Sequence, residues 1–152
     1  MTDANTTPRI RLERRIKARP AAVYAYLTDS EKWARWQGES AEIEARVDGA
    51  FRMTMGNGAI AEGRFLELIP DRRVRFTWGW HGSQTVPPGS SEVTIDLVDD
   101  GGITVLTLIH DGLGGNDIPS HTAGWDHYMP RLVALAEGRD PGPDRGPSVP
   151  NA

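Results

Sequence analysis

Four histidines and no cysteine define the acid–base repertoire of this chain. His110 lies in the stretch Thr107-Leu-Ile-His-Asp-Gly-Leu113, beside Leu108 on the apolar side, and His121 opens a segment with apolar residues at helical spacing. A neutral imidazole inside an apolar cavity could anchor a ligand hydroxyl or serve as a general base near neutral pH. His110 and His121 are therefore the candidate catalytic residues, with a histidine satisfied by a backbone partner as the alternative. His81 lies in a loop and is expected to be solvated, and His127 is expected to face outward, two positions after Trp125. No metal site is expected: His121 and His127 are six residues apart on one helix, thiolates are absent, and no His-Glu-x-x-His spacing occurs. No cofactor is called for. A Ser-His-Asp triad could be assembled from Ser83 or Ser120, His110 or His121, and Asp111 or Asp126, but without a Gly-x-Ser-x-Gly elbow the choice is arbitrary.

The second chemical signal is a concentration of aromatic residues and methionine. Alternation turns Phe51, Met53, Met55, Phe65, Phe76, Trp78, Trp80, Leu106 and Leu108 inward, and helical spacing sets Trp125, Tyr128, Met129 and Leu132 opposite them. A domain of this size must bury many such side chains, so packing alone accounts for any one of them. Together their aromatic and Met bias points to a pocket with an apolar wall. The expected ligand-binding set is Trp36, Met53, Met55, Phe65, Phe76, Trp78, Trp80, Leu108, His110, His121, Trp125, Tyr128 and Met129, with Trp36 and Tyr128 near the mouth.

The elements that must position these residues are legible in order. Ile10 to Ala18 alternates as a half-buried strand; Pro20 starts a short helix that ends at Thr28-Asp29-Ser30, and Asp29 or Ser30 can cap a second through Trp36. From residue 40 to 113 the period is two. Turns at Val47-Asp48-Gly49, Gly56-Asn57-Gly58, Pro70-Asp71-Arg72 and Asp99-Asp100-Gly101-Gly102 divide this stretch into a meander, with a loose His81 to Ser90 segment. A helix from about Ser120 to Glu137 closes the chain; Pro130 should bend it, and Gly124 would allow another backbone to approach. Residues 1–9 read as a flexible tail, 10–137 as one domain, and 138–152 as a disordered Pro/Gly-rich tail.

Length bounds the chain at one domain, because 152 residues with 38% hydrophobic content suffice for one core. A net charge of −4 argues against a nucleic-acid partner, and the Arg9 to Arg19 and Arg72 to Arg75 clusters read as solvated strand faces. No apolar run approaches the roughly 20 residues needed to span a bilayer, and no leader pattern precedes Ile10, so a soluble cytoplasmic protein without membrane insertion is expected.

The ordered run of motifs resembles a known family. Ala18-Arg-Pro-Ala-Ala-Val-Tyr24, Leu27-Thr28-Asp29 with Trp33 to Trp36, Val47-Asp-Gly-Ala-Phe51, Gly63-Arg-Phe-Leu-Glu-Leu-Ile-Pro70, Phe76-Thr-Trp78, Thr107-Leu-Ile-His110, and Gly124-Trp125 with His127-Tyr128 and Arg131-Leu132 follow the SRPBCC or START-like superfamily. Within it they resemble the group named after the activator of heat-shock protein 90 ATPase. The resemblance implies an α+β helix-grip fold, pollen-allergen-like, in which a curved antiparallel sheet of about six or seven strands wraps a long C-terminal helix. It also implies a cavity between sheet and helix that holds apolar molecules and in some branches runs ring chemistry. The expected partner is a small apolar or aromatic molecule, and the expected function is binding it. The alternatives are a cyclase- or hydrolase-like cavity enzyme using a histidine, or a co-chaperone or stress-response regulator with a chaperone partner. Either a monomer or a homodimer fits.

Overall fold

The computed structural model describes residues 9–144 and 146. Seven strands form one antiparallel sheet in the order β1-β7-β6-β5-β4-β3-β2. They are β1 (Ile10–Ile16), β2 (Ser40–Ile43), β3 (Ala50–Thr54), β4 (Ile60–Ile69), β5 (Arg73–Trp80), β6 (Ser91–Asp100) and β7 (Ile103–Asp111). Each of β2 to β7 pairs with its chain neighbour, as tight turns dictate, and β1 returns to pair with β7, setting Leu12 opposite Leu108 and Ile10 opposite His110. Helices α1 (Pro20–Thr28) and α2 (Ser30–Trp36) follow β1, and α3 (Ile118–Ala136) ends the fold.

Local chemistry places these boundaries. Pro20 occupies the first turn of α1, where its missing N–H costs nothing, and the Asp29 carboxylate caps α2 by accepting from the Lys32 backbone N–H at 2.9 Å. Alternation along β7 buries Thr104, Leu106, Leu108 and His110 in turn, and β5 does the same with Val74, Phe76 and Trp78. These faces meet Trp125, Met129 and Leu132 of α3 and Val23 and Leu27 of α1 in a single apolar interior. Each large side chain buried there contributes roughly 1.5–3 kcal/mol of transfer free energy.

The opposite face of the sheet is charged. Arg73 lies opposite Asp96, 2.6 Å from its carboxylate, and Arg75 reaches Glu92 at 3.0 Å, so the clustered arginines are spent on cross-strand ion pairs. The His81 to Ser90 segment is less loose than its composition implies. Val86 is buried and its carbonyl accepts from the Trp80 N–H at 2.7 Å. This return is possible because Gly79 has no side chain: a Cβ there would collide with the Pro87 carbonyl.

After α3, residues 138–144 form no helix or strand, in line with their proline and glycine content, yet they are tied back to α3. Arg131 donates to the Gly142 carbonyl at 2.9 Å, and His127 Nε2 lies 2.7 Å from the Asp144 carboxylate. His127, expected to face outward, thus packs under this segment, with its ring against Tyr128 at 4.8 Å. The remainder of the expected tails, residues 1–8, 145 and 147–152, lies outside the described residues.

Candidate functional site

A cleft of about 800 Å³ opens between the sheet and the first half of α3. Five segments supply its wall: the α2–β2 link (Gln37 to Glu39), the β3–β4 turn (Met55, Gly56, Asn57, Ala59), the end of β5 (Trp78, Trp80), α3 (Ser120, His121, Gly124, Trp125, Tyr128), and Asp144 with Gly146. The α3 contribution is one helical face, since residues 121, 124, 125 and 128 follow the three- and four-residue steps of a single stripe. Gly124 interrupts that stripe with empty space. Among the described residues no atom outside its own helix lies within 4 Å of where its Cβ would stand, so the glycine widens the cleft instead of admitting a second backbone.

The rear wall is pinned by two indole–imidazole hydrogen bonds. The Trp80 indole N–H donates to His121 Nε2 at 2.9 Å, and the Trp125 indole N–H donates to His110 Nδ1 at 3.0 Å. An indole nitrogen is a donor only, so each acceptor nitrogen must be unprotonated and the tautomers follow. His121 carries its proton on Nδ1, 2.8 Å from the Asp117 carbonyl; His110 carries its proton on Nε2, 2.9 Å from Ser91 Oγ, which in turn donates to the Trp78 carbonyl at 2.8 Å. The two imidazole rings are 5.4 Å apart.

Electrostatics reinforce this neutral arrangement. Burial, then the neighbouring His121, pushes His110 down to about 3. Burial also lowers His121, partly offset by the Asp117 carbonyl and carboxylate. Protonating either ring would cost it the indole bond as well as its desolvation. Both imidazoles are therefore neutral hydrogen-bond relays, and neither has a lone pair free to take a proton from a guest.

The polar groups that do face the cleft are elsewhere. The Gln37 side-chain oxygen accepts from the Trp33 indole at 3.1 Å, and the residue is only 3% exposed, which leaves its amide N–H₂ without an acceptor among the described residues. Among the described residues the Tyr128 hydroxyl meets only the Met55 sulfur, at 3.9 Å, a weak acceptor that a ligand oxygen or nitrogen would displace. Burial, then the Asp144 carboxylate, raises Tyr128 to about 12 against an opposing effect of Arg131, so its hydroxyl stays protonated and able to donate. The buried Trp78 indole N–H has no partner among the described residues.

Of the residues singled out by sequence, the structure brings Met55, Trp78, Trp80, His121, Trp125 and Tyr128 together on the cleft. Met53, Phe65, Phe76, Leu108, His110 and Met129 do face inward but are fully buried, behind or beside the cleft. Trp36, placed near the mouth by sequence, is fully buried with its indole donating to the Tyr26 carbonyl at 3.0 Å. Inward direction is what alternation gives; whether open space or another side chain lies ahead is set by α2, which fills one end of the interior. Sequence reasoning missed Gln37, Glu39, Asn57 and Asp144, which lie in links, turns and the segment after α3, and it raised Ser120 only as one arbitrary choice for a triad. Only Gly124 carried a usable signal, as a gap in an aromatic stripe. His81, as expected, is exposed.

The family profile for Activator of Hsp90 ATPase homolog 1-like protein matches residues 17–137. An AHSA1-like protein of Rhizobium etli is 45% identical, with 91% of this chain and 87% of that one covered and a TM-score of 0.73. A protein of Chromobacterium violaceum is 30% identical over 90% and 98% of the two chains, also with a TM-score of 0.73. The Aha1 dimer of Colwellia psychrerythraea, 19% identical over 86% and 97%, shares the fold with a TM-score of 0.75. Among curated proteins none matches.

Proposed function

The chain belongs to the Activator of Hsp90 ATPase homolog 1-like family, and on that premise we propose that it is a small-molecule-binding protein holding an apolar or aromatic compound between its sheet and α3. The observation that carries this reading is the open cleft of about 800 Å³ walled by Trp78, Trp80, Trp125, Tyr128 and Met55, with empty space at Gly124. Pockets for small molecules have this make-up, an apolar aromatic wall with a few placed polar groups. Gln37 and Tyr128 supply the donors that would orient a polar end.

Binding is favoured over catalysis by the state of the histidines. A general base needs a free lone pair within reach of its proton. Here His110 is sealed behind Trp125 and the Nε2 of His121 is occupied by Trp80. The regulator alternative would need a docking surface, yet the exposed large apolar residues among those described, Val47, Ile69 and Val98, sit on three separate segments. No described helix is long and apolar enough to cross a membrane, and the reading takes the protein to work in the cytoplasm.

The test is binding of Nile red, an uncharged aromatic dye, followed by its emission in the wild type and in Gly124→Leu. The expected result is micromolar binding that falls at least about tenfold when Leu fills the cleft. Equal binding by both proteins, or none by either, overturns the reading.

A further inference from the structure

The polar groups on the inner wall of the cleft differ in kind from those at its rim. Gln37 and Tyr128, 3% and 7% exposed, line it from within, whereas Glu39, Asn57, Ser120 and Asp144 are exposed. Three inner acceptors are spent on indoles: Gln37 Oε1 on Trp33, His121 Nε2 on Trp80 and His110 Nδ1 on Trp125. Because an indole only donates, the Trp33 bond also fixes the Gln37 amide, with its oxygen toward Trp33 and its N–H₂ turned away. Among the described residues that nitrogen has no acceptor, and it is not enclosed as the partnerless Trp78 indole nitrogen is, so it opens on the cleft. Burial, then Asp144, keeps the Tyr128 hydroxyl protonated, and its 3.9 Å contact with the Met55 sulfur is weak.

From this arrangement we infer that the cleft recognises aryl ketones, aromatic compounds whose carbonyl oxygen accepts from the Gln37 amide and the Tyr128 hydroxyl. A carbonyl oxygen has two lone pairs and brings no proton of its own. A ligand hydroxyl can accept as well, but its proton then needs an acceptor, and the three inner ones are occupied. Met55 gives way to such a guest at small cost, since an unbranched thioether repacks readily and its sulfur holds Tyr128 only weakly. The inference deepens the proposed binding function and rests on it.

Three probes on one tricyclic frame separate the two: fluorene, fluorenone and fluorenol carry a methylene, a carbonyl and a hydroxyl at the same carbon. By equilibrium dialysis fluorenone is expected to bind about tenfold tighter than fluorene, and fluorenol no more than about threefold tighter. The carbonyl stretch of fluorenone in isotope-edited infrared spectra should move to lower wavenumber on binding and partly return in Tyr128→Phe, a signature that ring packing alone does not produce. Tyr128→Phe should also cut the fluorenone-to-fluorene ratio to about threefold. Gln37→Glu at pH 8 keeps an oxygen for Trp33 but replaces the N–H₂ by an acceptor, and should put fluorenol ahead of fluorenone. Equal affinities for fluorenone and fluorene, fluorenol tightest on the wild type, or a fluorenone preference that survives both substitutions overturns the carbonyl assignment. The cleft reading then still stands on fluorene bound by the wild type and lost in Gly124→Leu. Failure of all three to bind, or equal binding of all three by Gly124→Leu and the wild type, overturns both.

Discussion

The two ends of the space between sheet and helices are built from the same kinds of residue and behave differently. At one end Trp33, Trp36, Phe51, Phe65 and Phe76 are all fully buried, with Phe51 stacked on Phe76 at 4.6 Å and Trp33 edge-on to Phe51 at 5.0 Å. At the other, Trp78 lies 5.4 Å from both Trp80 and Trp125, and the three border an open cleft. The difference lies in what faces the sheet. The short helix α2 delivers two indoles into the closed end, whereas the first half of α3 offers Ser120, His121 and Gly124 to the open one. Aromatic content alone therefore says little about function; the residues of the covering helix decide whether an aromatic wall becomes core or pocket.

The comparison breaks first at the closed end. Trp33→Ala should destabilise the fold by about 3–5 kcal/mol in urea unfolding, because it removes a fully buried ring and leaves Gln37 without its donor. The same truncation at Trp80, which is only partly buried, should cost distinctly less.

Acid should separate the ends next. In the unfolded chain His110 takes up a proton near pH 6.5, but in the folded chain it stays neutral down to about 3. Between those values the unfolded state binds more protons, so the His110 contribution to stability is complete above about pH 6.5 and falls as pH drops toward 3, on the order of 4 kcal/mol in all. Denaturant midpoints of wild type and His110→Phe, taken from pH 7 down to pH 4, should converge as acidity increases; parallel profiles would refute this account of the histidine.

A smaller effect is expected from Trp80→Phe, which keeps an aromatic wall but removes the donor to His121. The loss of one hydrogen bond should cost about 1 kcal/mol, and the freed imidazole should titrate at higher pH, which the His121 ring proton shifts in NMR would report. The smallest change sharpens the comparison most. Gly124→Ala adds an atom into open space and raises helix propensity, so it should stabilise the protein by up to about 1 kcal/mol in thermal melts. Added atoms at the closed end should instead destabilise.

The order of elements was readable from sequence because it rests on local signals: Pro20 opening α1, Asp29 capping α2, and turns that cut a period-two run into strands. The seven-stranded antiparallel sheet and the long terminal helix agree with that reading. The site was legible only in part. Alternation correctly turned Phe65, Phe76 and Leu108 inward, but the direction of a side chain does not reveal whether α2 has already filled the space ahead of it. The tautomers of His110 and His121 are set by indoles 15 and 41 residues away in the chain, which no local pattern encodes. Asp144 reached the cleft from a segment whose composition suggested only a tail, through contacts with His127 and a neighbouring backbone N–H. Gly124 was noticed for the right reason, the absence of a side chain, and given the wrong consequence.

The central claim is that the cleft holds a small molecule, and native mass spectrometry of the wild-type protein and Gly124→Leu, each purified from the protein's own host, tests it most directly. The account predicts a retained compound on the wild type that is absent or strongly depleted on the variant. A bare mass for both proteins, or the same compound carried equally by both, would contradict it.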